Sequence, residues 1–541
     1  MGGLFLCIHG HFYQPPRENP WTGKIEVQPT AAPFHDWNER IFQECYKPNT
    51  EAVIIDDAGK VLRRVNNYEY LNFNFGPTLL DWISENQPNT YSKIIEADKS
   101  SVKTHNEHGN AIAQVYNHLI MPLASRRDKM TQVKWGVADF EFRFGRTPEG
   151  MWLAETACNN ATLEVLIGEG IRYTILDPSQ ALKVRKSITM EWEDVSGGRI
   201  NTRMPYRFYS KEKNGKYIDL FFYDGPLSKG IAFDDVVFDA KRLMDKIDSA
   251  NIKNIEQDQL ISMAVDGETF GHHKQFTERT IAYLLSEYAQ ARGYKVVNFA
   301  EYLDAHEPEY EILLNEGPKG EGTSWSCVHG VERWKENCGC YTGGSEGWNQ
   351  EWRSPLRNAL NQLNYKLGIL FELEGRKYLK DPWEARNEYI NVMLNKETAS
   401  REIAVTHYER AVTRDLSSDE STGKFFSNQS LKRLNKKEKE LCINLLEMQK
   451  YSMFMFTSCG WFFSDISGIE TQKIIEFAKR AIEFGETISG VNLEQDFLDE
   501  LRKAKSNKRN EIPTDRKDKG VTAEESFING ADIYKSLGDI R

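Results

Sequence analysis

The 541-residue sequence has no apolar run long enough to cross a bilayer. Its longest, Tyr451 to Phe463, is short and interrupted, whereas a spanning helix needs about 20 consecutive apolar residues. Nothing resembling a basic region and cleavage site surrounds Met1 to Ile8, so no secretory leader is expected. Cysteine is scarce: 8 in 541 residues rule out a disulfide framework and favour reduced thiols in a cytoplasm. Positive charge is also short, with 69 Lys and Arg against 80 Asp and Glu and a net charge of −11. Phosphate recognition relies on excess cations, so neither nucleic acid nor an anionic membrane is an expected partner. A neutral glucan is not excluded. No Gly-x-Gly-x-x-Gly opens a helix after the first strand-like segment, which argues against a dinucleotide site. No internal repeat is visible, and the sequence is silent on oligomeric state.

What is present reads as an ordinary globular chain, 40% apolar and 28% charged. Its 12 Trp and 23 Tyr suit a carbohydrate binder, though an aromatic-rich core would give similar counts. The first half alternates short apolar runs with longer amphipathic ones, the sign of βα units and a parallel sheet. Strands are expected at Leu4 to Ile8, Tyr70 to Phe75, Met151 onward, Ile171 to Leu176, Tyr217 to Tyr223, Leu260 to Val265 and Lys295 to Phe299. Gln132 to Phe144 reads as mostly helical, leading into the strand at Met151. Several runs end in an ionisable or imidazole residue: His9, Glu155, Asp177, Asp224 and Asp266. In α/β barrels reactive groups sit at the carboxyl ends of strands. An open doubly wound sheet would look similar by periodicity alone. The expected architecture is α/β: a seven-stranded (β/α) barrel of incomplete TIM type over residues 1–305, then a mainly helical module over 306–541. The boundary is placed where Glu307 to Gly322 turns polar and rich in Gly, Pro and Glu. Beyond it, Leu356 to Leu379, Trp383 to Leu394, Lys436 to Phe456, Thr471 to Ile488 and Leu493 to Lys505 carry apolar residues three and four apart. Ser506 to Lys519 reads as a mobile charged segment, and Ala523 onward as a short helix.

Two carboxylates carry the chemical expectation. Glu155 follows the apolar run Met151-Trp152-Leu153-Ala154, and Asp266 follows Leu260 to Val265. Glycosidases place one carboxylate on each side of the scissile bond, one as proton donor and one as nucleophile or base. A strand-end cap or an ion-pair partner would explain either residue singly. The flanks weigh toward a functional pair. Trp152-Leu153-Ala154-Glu155 and Asp266-Gly267-Glu268-Thr269-Phe270-Gly271 resemble motifs of glycoside hydrolase family 57, retaining enzymes acting mostly on α-glucans. His9-Gly10-His11-Phe12-Tyr13-Gln14-Pro15 is similar to the family's opening His-Gln-Pro segment. Tyr116-Asn117-His118-Leu119-Ile120-Met121-Pro122-Leu123 is similar to its Tyr-x-His segment before Leu-Pro. The four motifs occur in the family's order over about residues 4 to 300. The resemblance implies a seven-stranded βα barrel followed by helices, Glu155 as nucleophile and Asp266 as acid/base. Hydrolase, glucanotransferase and branching-enzyme activities all fit it.

Residues expected to line the substrate site are His9, His11, Gln14, His118, Trp152, Asp177, Asp224, Glu268, His272, His273, Trp325 and Trp348. The histidines suit hydrogen bonds to sugar hydroxyls. As metal ligands they would suit a metal-dependent polysaccharide deacetylase or a mannosidase-like barrel. The first strand end lacks the His-x-Asp of such mannosidases, and no His-x-x-x-His of deacetylases is present, so no metal or cofactor is expected at this site. A glucan-binding protein without turnover is the non-enzyme alternative. Trp325, Trp334, Trp348 and Trp352 open the second module in a Gly-rich context; they suit stacking on pyranose rings or an ordinary apolar plug. Cys327-x-His329 with Cys338-x-Cys340 is a candidate structural zinc set, although its single-residue spacings are tighter than usual. Met448 to Trp461 reads as packing.

Overall fold

A computed structural model of the protein describes residues 2–186, 188–253, 256–395, 420–509 and 527–537. The chain divides into two compact units. The first comprises Met1–Gln14, Ile25–Tyr116 and Gly136–Trp325; the second comprises Pro15–Lys24, Asn117–Trp135 and Ser326–Arg541. The first unit thus runs to Trp325, past the position 305 drawn from composition, and two early segments belong to the second.

The first unit is organised by β1 (Leu4–Phe12), which is buried from Leu6 onward. A strand buried on both faces reads as a continuous apolar run, and parallel sheets are built of such strands. The other main strands are β2 (Asn72–Phe75), β3 (Ala113–Gln114), β4 (Met151–Trp152), β5 (Tyr173–Leu176), β6 (Tyr217–Phe222), β7 (Gln259–Asp266) and β8 (Tyr294–Val296). β1 pairs parallel with β7 from Leu4 to His11. It also pairs with β8 at Leu4 to Leu6 and with β2 at His9 to Phe12. Parallel bridges then link β2 to Ala111, β3 to β4, Gly150 to β5, and β5 to β6. Just past β6, the Asp224 amide donates to the Ser262 carbonyl of β7 at 2.7 Å. Helices fill the crossovers, among them α1 (Pro77–Asn86), α2 (Pro88–Thr104), α3 (Arg126–Phe144, which belongs to this unit from Gly136 on), α4 (Asn160–Gly168), α5 (Gly225–Phe233), α6 (Ala240–Ala250) and α7 (Thr277–Tyr283).

Two parts of this arrangement differ from the sequence expectation. β3 is only two residues long and includes a glutamine, so it offers no apolar run to detect. The segment Lys295 to Phe299 is a strand only to Val296, after which α8 (Phe299–Ala305) begins at its N-cap Asn298. β6 also carries a side sheet built from Ala181–Arg185, Glu193–Asp194, Tyr206–Tyr209 and Glu311–Leu314.

In the second unit α9 (Arg353–Gly375), α10 (Pro382–Glu388), α11 (Glu420–Gln429), α12 (Lys436–Phe454), α13 (Ile469–Ser489), α14 (Glu494–Leu501) and α15 (Gly530–Ser536) follow in order. α12 packs along α13, and α9 packs on α12, α13 and α14. Asn435 and Glu438 form a reciprocal cap on α12, which satisfies its first free amides. The helix expected to reach Lys505 stops at Leu501, and Lys505–Arg509 pairs antiparallel with Phe527–Asn529. Ser506 to Arg509 of the expected mobile segment are therefore strand, while residues 510–519 and 523–526 lie outside those described.

Candidate active site

Register decides what meets at the carboxyl ends of the strands. Asp266, the last residue of β7, stands opposite His11 on β1; His9 and His11 stand opposite Asn72 and Asn74 on β2. Gln114 stands opposite Trp152. Because side chains alternate along a strand, residues two apart share a face. His9 and His11 therefore point the same way, as do Asn72 and Asn74. The His9 ring lies between the side-chain amides of Asn72 (2.7 Å) and Asn74 (3.0 Å). Asn74 also reaches His11 Nδ1 and donates to Gln114 Oε1 at 2.8 Å. The indole of Trp152 stacks on both imidazoles, with centroids 4.6 Å from His9 and 5.0 Å from His11. His9 is fully buried, and desolvation pushes its pKa down to about 4, so the ring is neutral near pH 7.

Glu155 lies three residues past Trp152 in a backbone that bends sharply. Its φ is +57° and that of Thr156 is +50°, a left-handed region costly for a side chain and most of all for a β-branched one. The surroundings hold this turn in place. The Trp325 amide donates to the Glu155 carbonyl and to Thr156 Oγ1, both at 3.1 Å. Thr156 Oγ1 meets Gln180 Oε1 at 2.9 Å, and Gln180 donates back to the Thr156 carbonyl. At the tip, Trp325 Nε1 donates to Glu155 Oε2 at 2.9 Å. The Trp325 ring meets Trp152 edge-on at 5.2 Å and Tyr223 at 6.2 Å.

Asp266 is exposed at the end of β7, with the seven residues before it buried. Desolvation, followed by the negative charge of Glu155, pushes its pKa up to about 7. Glu268 is buried and does a different job. It accepts from the Tyr13 amide at 2.9 Å and from the Tyr46 hydroxyl at 2.6 Å. Burial is the main cause that raises its pKa to about 8, against the lowering effect of Tyr46.

The remaining candidates divide. His272 pairs with Glu44 through Nδ1. His273 is exposed, with burial of its surroundings and the neighbouring His272 lowering its pKa to about 4. Gln14 donates to the Tyr13 carbonyl at 2.9 Å. Asp177 caps the turn Pro178–Gln180 and accepts from the Tyr223 hydroxyl at 2.5 Å. Asp224 caps α5 and pairs with Arg203 at 2.9 Å, so both are engaged in holding backbone. His118 and Trp348 belong to the second unit. There His118 is buried, with Nδ1 2.7 Å from Ser458 Oγ and a pKa lowered by desolvation to about 3. Trp348 is half-buried beside Gly344.

Asn72, Asn74, Gln114, Thr156, Gln180 and Tyr223 were not among the sequence candidates. Asn72-Phe73-Asn74-Phe75 did carry a signal, since two amides at alternate positions of a fully buried strand need partners on one face.

Against known proteins, the profile of glycosyl hydrolase family 57 matches residues 6–315. A profile described as a domain of unknown function, DUF3536, matches residues 348–515. Alpha-amylase 1 of Dictyoglomus thermophilum is 24% identical over 181 residues, 30% of this chain and 25% of that protein. The chain therefore spans about a quarter of that relative's length. An exo-type maltose-forming amylase from Pyrococcus sp. ST04 superposes with a TM-score of 0.67 at 14% identity, covering 92% of this chain and 82% of that one. A branching enzyme from Thermococcus kodakaraensis superposes with a TM-score of 0.51 at 12% identity, covering 93% and 92%. Identities this low speak to the fold alone. The family profile covers more than half of the chain, and the chain belongs to glycosyl hydrolase family 57.

Proposed function

We propose that the protein is a retaining α-glucan hydrolase or transglycosylase, with Glu155 as nucleophile and Asp266 as general acid/base, on a (β/α)7 barrel formed by β1 to β7. What supports this reading is the placement of two carboxyl groups just past β4 and at the end of β7, with the charge of Glu155 acting on Asp266. Asp266 has its pKa raised to about 7 by desolvation and by the charge of Glu155, so a large share of it holds a proton near neutral pH. That is the state a proton donor needs. Glu155 is fixed in a strained turn with one oxygen held by Trp325, which suits a group that must attack along one direction. Asp266 gives its proton to the glycosidic oxygen as the Glu155 carboxylate bonds to the anomeric carbon. Water or a sugar hydroxyl then loses a proton to Asp266 and displaces Glu155. The succession of parallel bridges from β1 to β6, and the Asp224–Ser262 bond back to β7, support the barrel. The amylase and branching-enzyme structures of similar fold are consistent with α-glucan as the substrate class.

Rescue by azide tests the two roles separately. With an activated α-glucosyl substrate, Glu155→Ala should yield the β-glycosyl azide, because the small anion takes the nucleophile's place. Asp266→Ala should yield the α-glycosyl azide, because the covalent intermediate still forms. Full turnover by either variant without azide would overturn the assignment.

A further inference from the structure

Between Ser326 and Trp352 the longest stretch of the second unit opens with a segment whose regular structure is a single turn, Glu332–Trp334. Long connections without helix or strand are uncommon in compact domains, and this one is held by turns such as Gly330–Cys327 and Cys338–Glu336 and by Ser464 at Thr342. Four side chains in it converge. The Sγ atoms of Cys327, Cys338 and Cys340 and a ring nitrogen of His329 all lie within 4.8 Å of one another. Cys327 Sγ is 3.9 Å from Cys338 Sγ, and Cys340 Sγ is 3.5 Å from His329 Nδ1. A tetrahedral zinc ion with ordinary bond lengths sets its sulfurs about 3.8 Å apart and its sulfur and nitrogen about 3.5 Å apart. Both separations match. A disulfide needs its sulfurs at about 2.05 Å, much closer than Cys327 and Cys338 stand.

We propose that Cys327, His329, Cys338 and Cys340 form a structural zinc site that fixes the opening of the second unit. Three features support it independently of the donor spacing. Gly339 takes φ +83° between Cys338 and Cys340, which lets two ligands one residue apart turn onto the same ion. Backbone amides of His329 and Arg333 donate to Cys327 Sγ, and that of Cys340 donates to Cys338 Sγ. Such bonds stabilise thiolates and orient metal ligands. The third feature is Arg353. Its side chain is fully buried, it donates to the Cys340 carbonyl at 2.8 Å, and its ion pairs with carboxylates among the described residues number none. A buried guanidinium without a counter-charge is costly. Three thiolates, a neutral imidazole and Zn²⁺ sum to a charge of −1, which would answer it. Four protein donors leave no open position, so the ion is structural and not a hydrolytic centre. On binding, each thiol releases its proton to solvent and no electron is transferred.

Metal analysis of the full-length protein, purified under reducing conditions, should give one zinc per chain. Replacing zinc with Co²⁺ should produce sulfur-to-cobalt charge-transfer bands and the intense visible bands of tetrahedral coordination. Cys338→Ser and Cys340→Ser should each bind zinc at least about 100-fold more weakly. The cobalt spectrum of the unaltered protein keeps the test decisive if those variants fold poorly. Less than about 0.1 zinc per chain after incubation with zinc and reductant would overturn the proposal. So would a Cys327–Cys338 disulfide in mapped peptides, or a cobalt spectrum without thiolate bands.

Discussion

Trp325 donates its indole N–H to the carboxylate of Glu155 at 2.9 Å, across 170 residues of sequence. The same residue's backbone amide bonds the Glu155 carbonyl, so one residue holds both ends of the acid. Trp325→Phe keeps the aromatic contacts with Trp152 and Tyr223 but removes the donor. A hydrogen bond to a charged group contributes about 1.5–3 kcal/mol. If that bond acts mainly in the transition state, kcat should fall about 10- to 100-fold with KM little changed. Steady-state kinetics on a maltooligosaccharide would show it; a change in KM alone would indicate a binding role.

The raised pKa of Asp266 predicts the alkaline limb of activity. The donor must be protonated, so kcat/KM should decline as pH rises through about 7. Glu155→Gln removes the neighbouring negative charge and should lower the pKa of Asp266, read by NMR of the carboxyl carbon. Turnover by Glu155→Gln should drop by about 10³-fold or more. An unmoved Asp266 pKa in that variant would mean that the two acids do not sense each other.

The same shift has a stability consequence. The folded value of about 7 lies above the roughly 3.9 of an unfolded aspartate. Folded protein therefore holds this proton more tightly, and the stability it contributes is lost as pH climbs from about 4 through about 7. Asp266→Asn should melt about 2 °C or more above the unaltered protein at pH 8 and no higher at pH 4. Equal offsets at both pH values would refute the linkage.

Glu268 offers a contrast between two carboxyl groups two residues apart. With a pKa near 8, it is mostly protonated at pH 7 and positions Tyr13 and Tyr46. Glu268→Gln preserves an acceptor and should alter stability by less than about 1 kcal/mol, with KM nearly unchanged. Glu268→Ala strands the Tyr46 hydroxyl and the Tyr13 amide and should cost about 2 kcal/mol. A tenfold rise in KM for Glu268→Gln would instead place this carboxyl against the sugar.

How far the sequence disclosed this arrangement depended on the length of each signal. β1 and β7 are long and buried on both faces, so their apolar runs were legible and so was the acid ending β7. β3, two residues long, left no periodicity to read. The side sheet on β6 was missed because its strands are short and partly exposed, with charged residues interleaved. Glu155 and Asp266 stood out through their flanks as the residues to consider, but the contact between Glu155 and Trp325 depends on tertiary closure that no local pattern encodes. Asp177 and Asp224 drew notice because they end strands, and that same position lets them cap a turn and a helix. Cys327, His329, Cys338 and Cys340 were legible as a candidate set despite their tight spacing, but the contacts Cys327–Cys338 and His329–Cys340, each across eleven residues, come from the fold.

Thr323 pairs with Cys158 and accepts from Gln180, and Trp325 secures Glu155, all beyond the last strand of the first unit. A nascent chain leaving the ribosome can therefore assemble every strand from β1 to β8 while the Glu155 turn still lacks its clasp. The indole donor reaches the acid only once residue 325 has emerged, which makes that contact among the last of the unit to be acquired during synthesis.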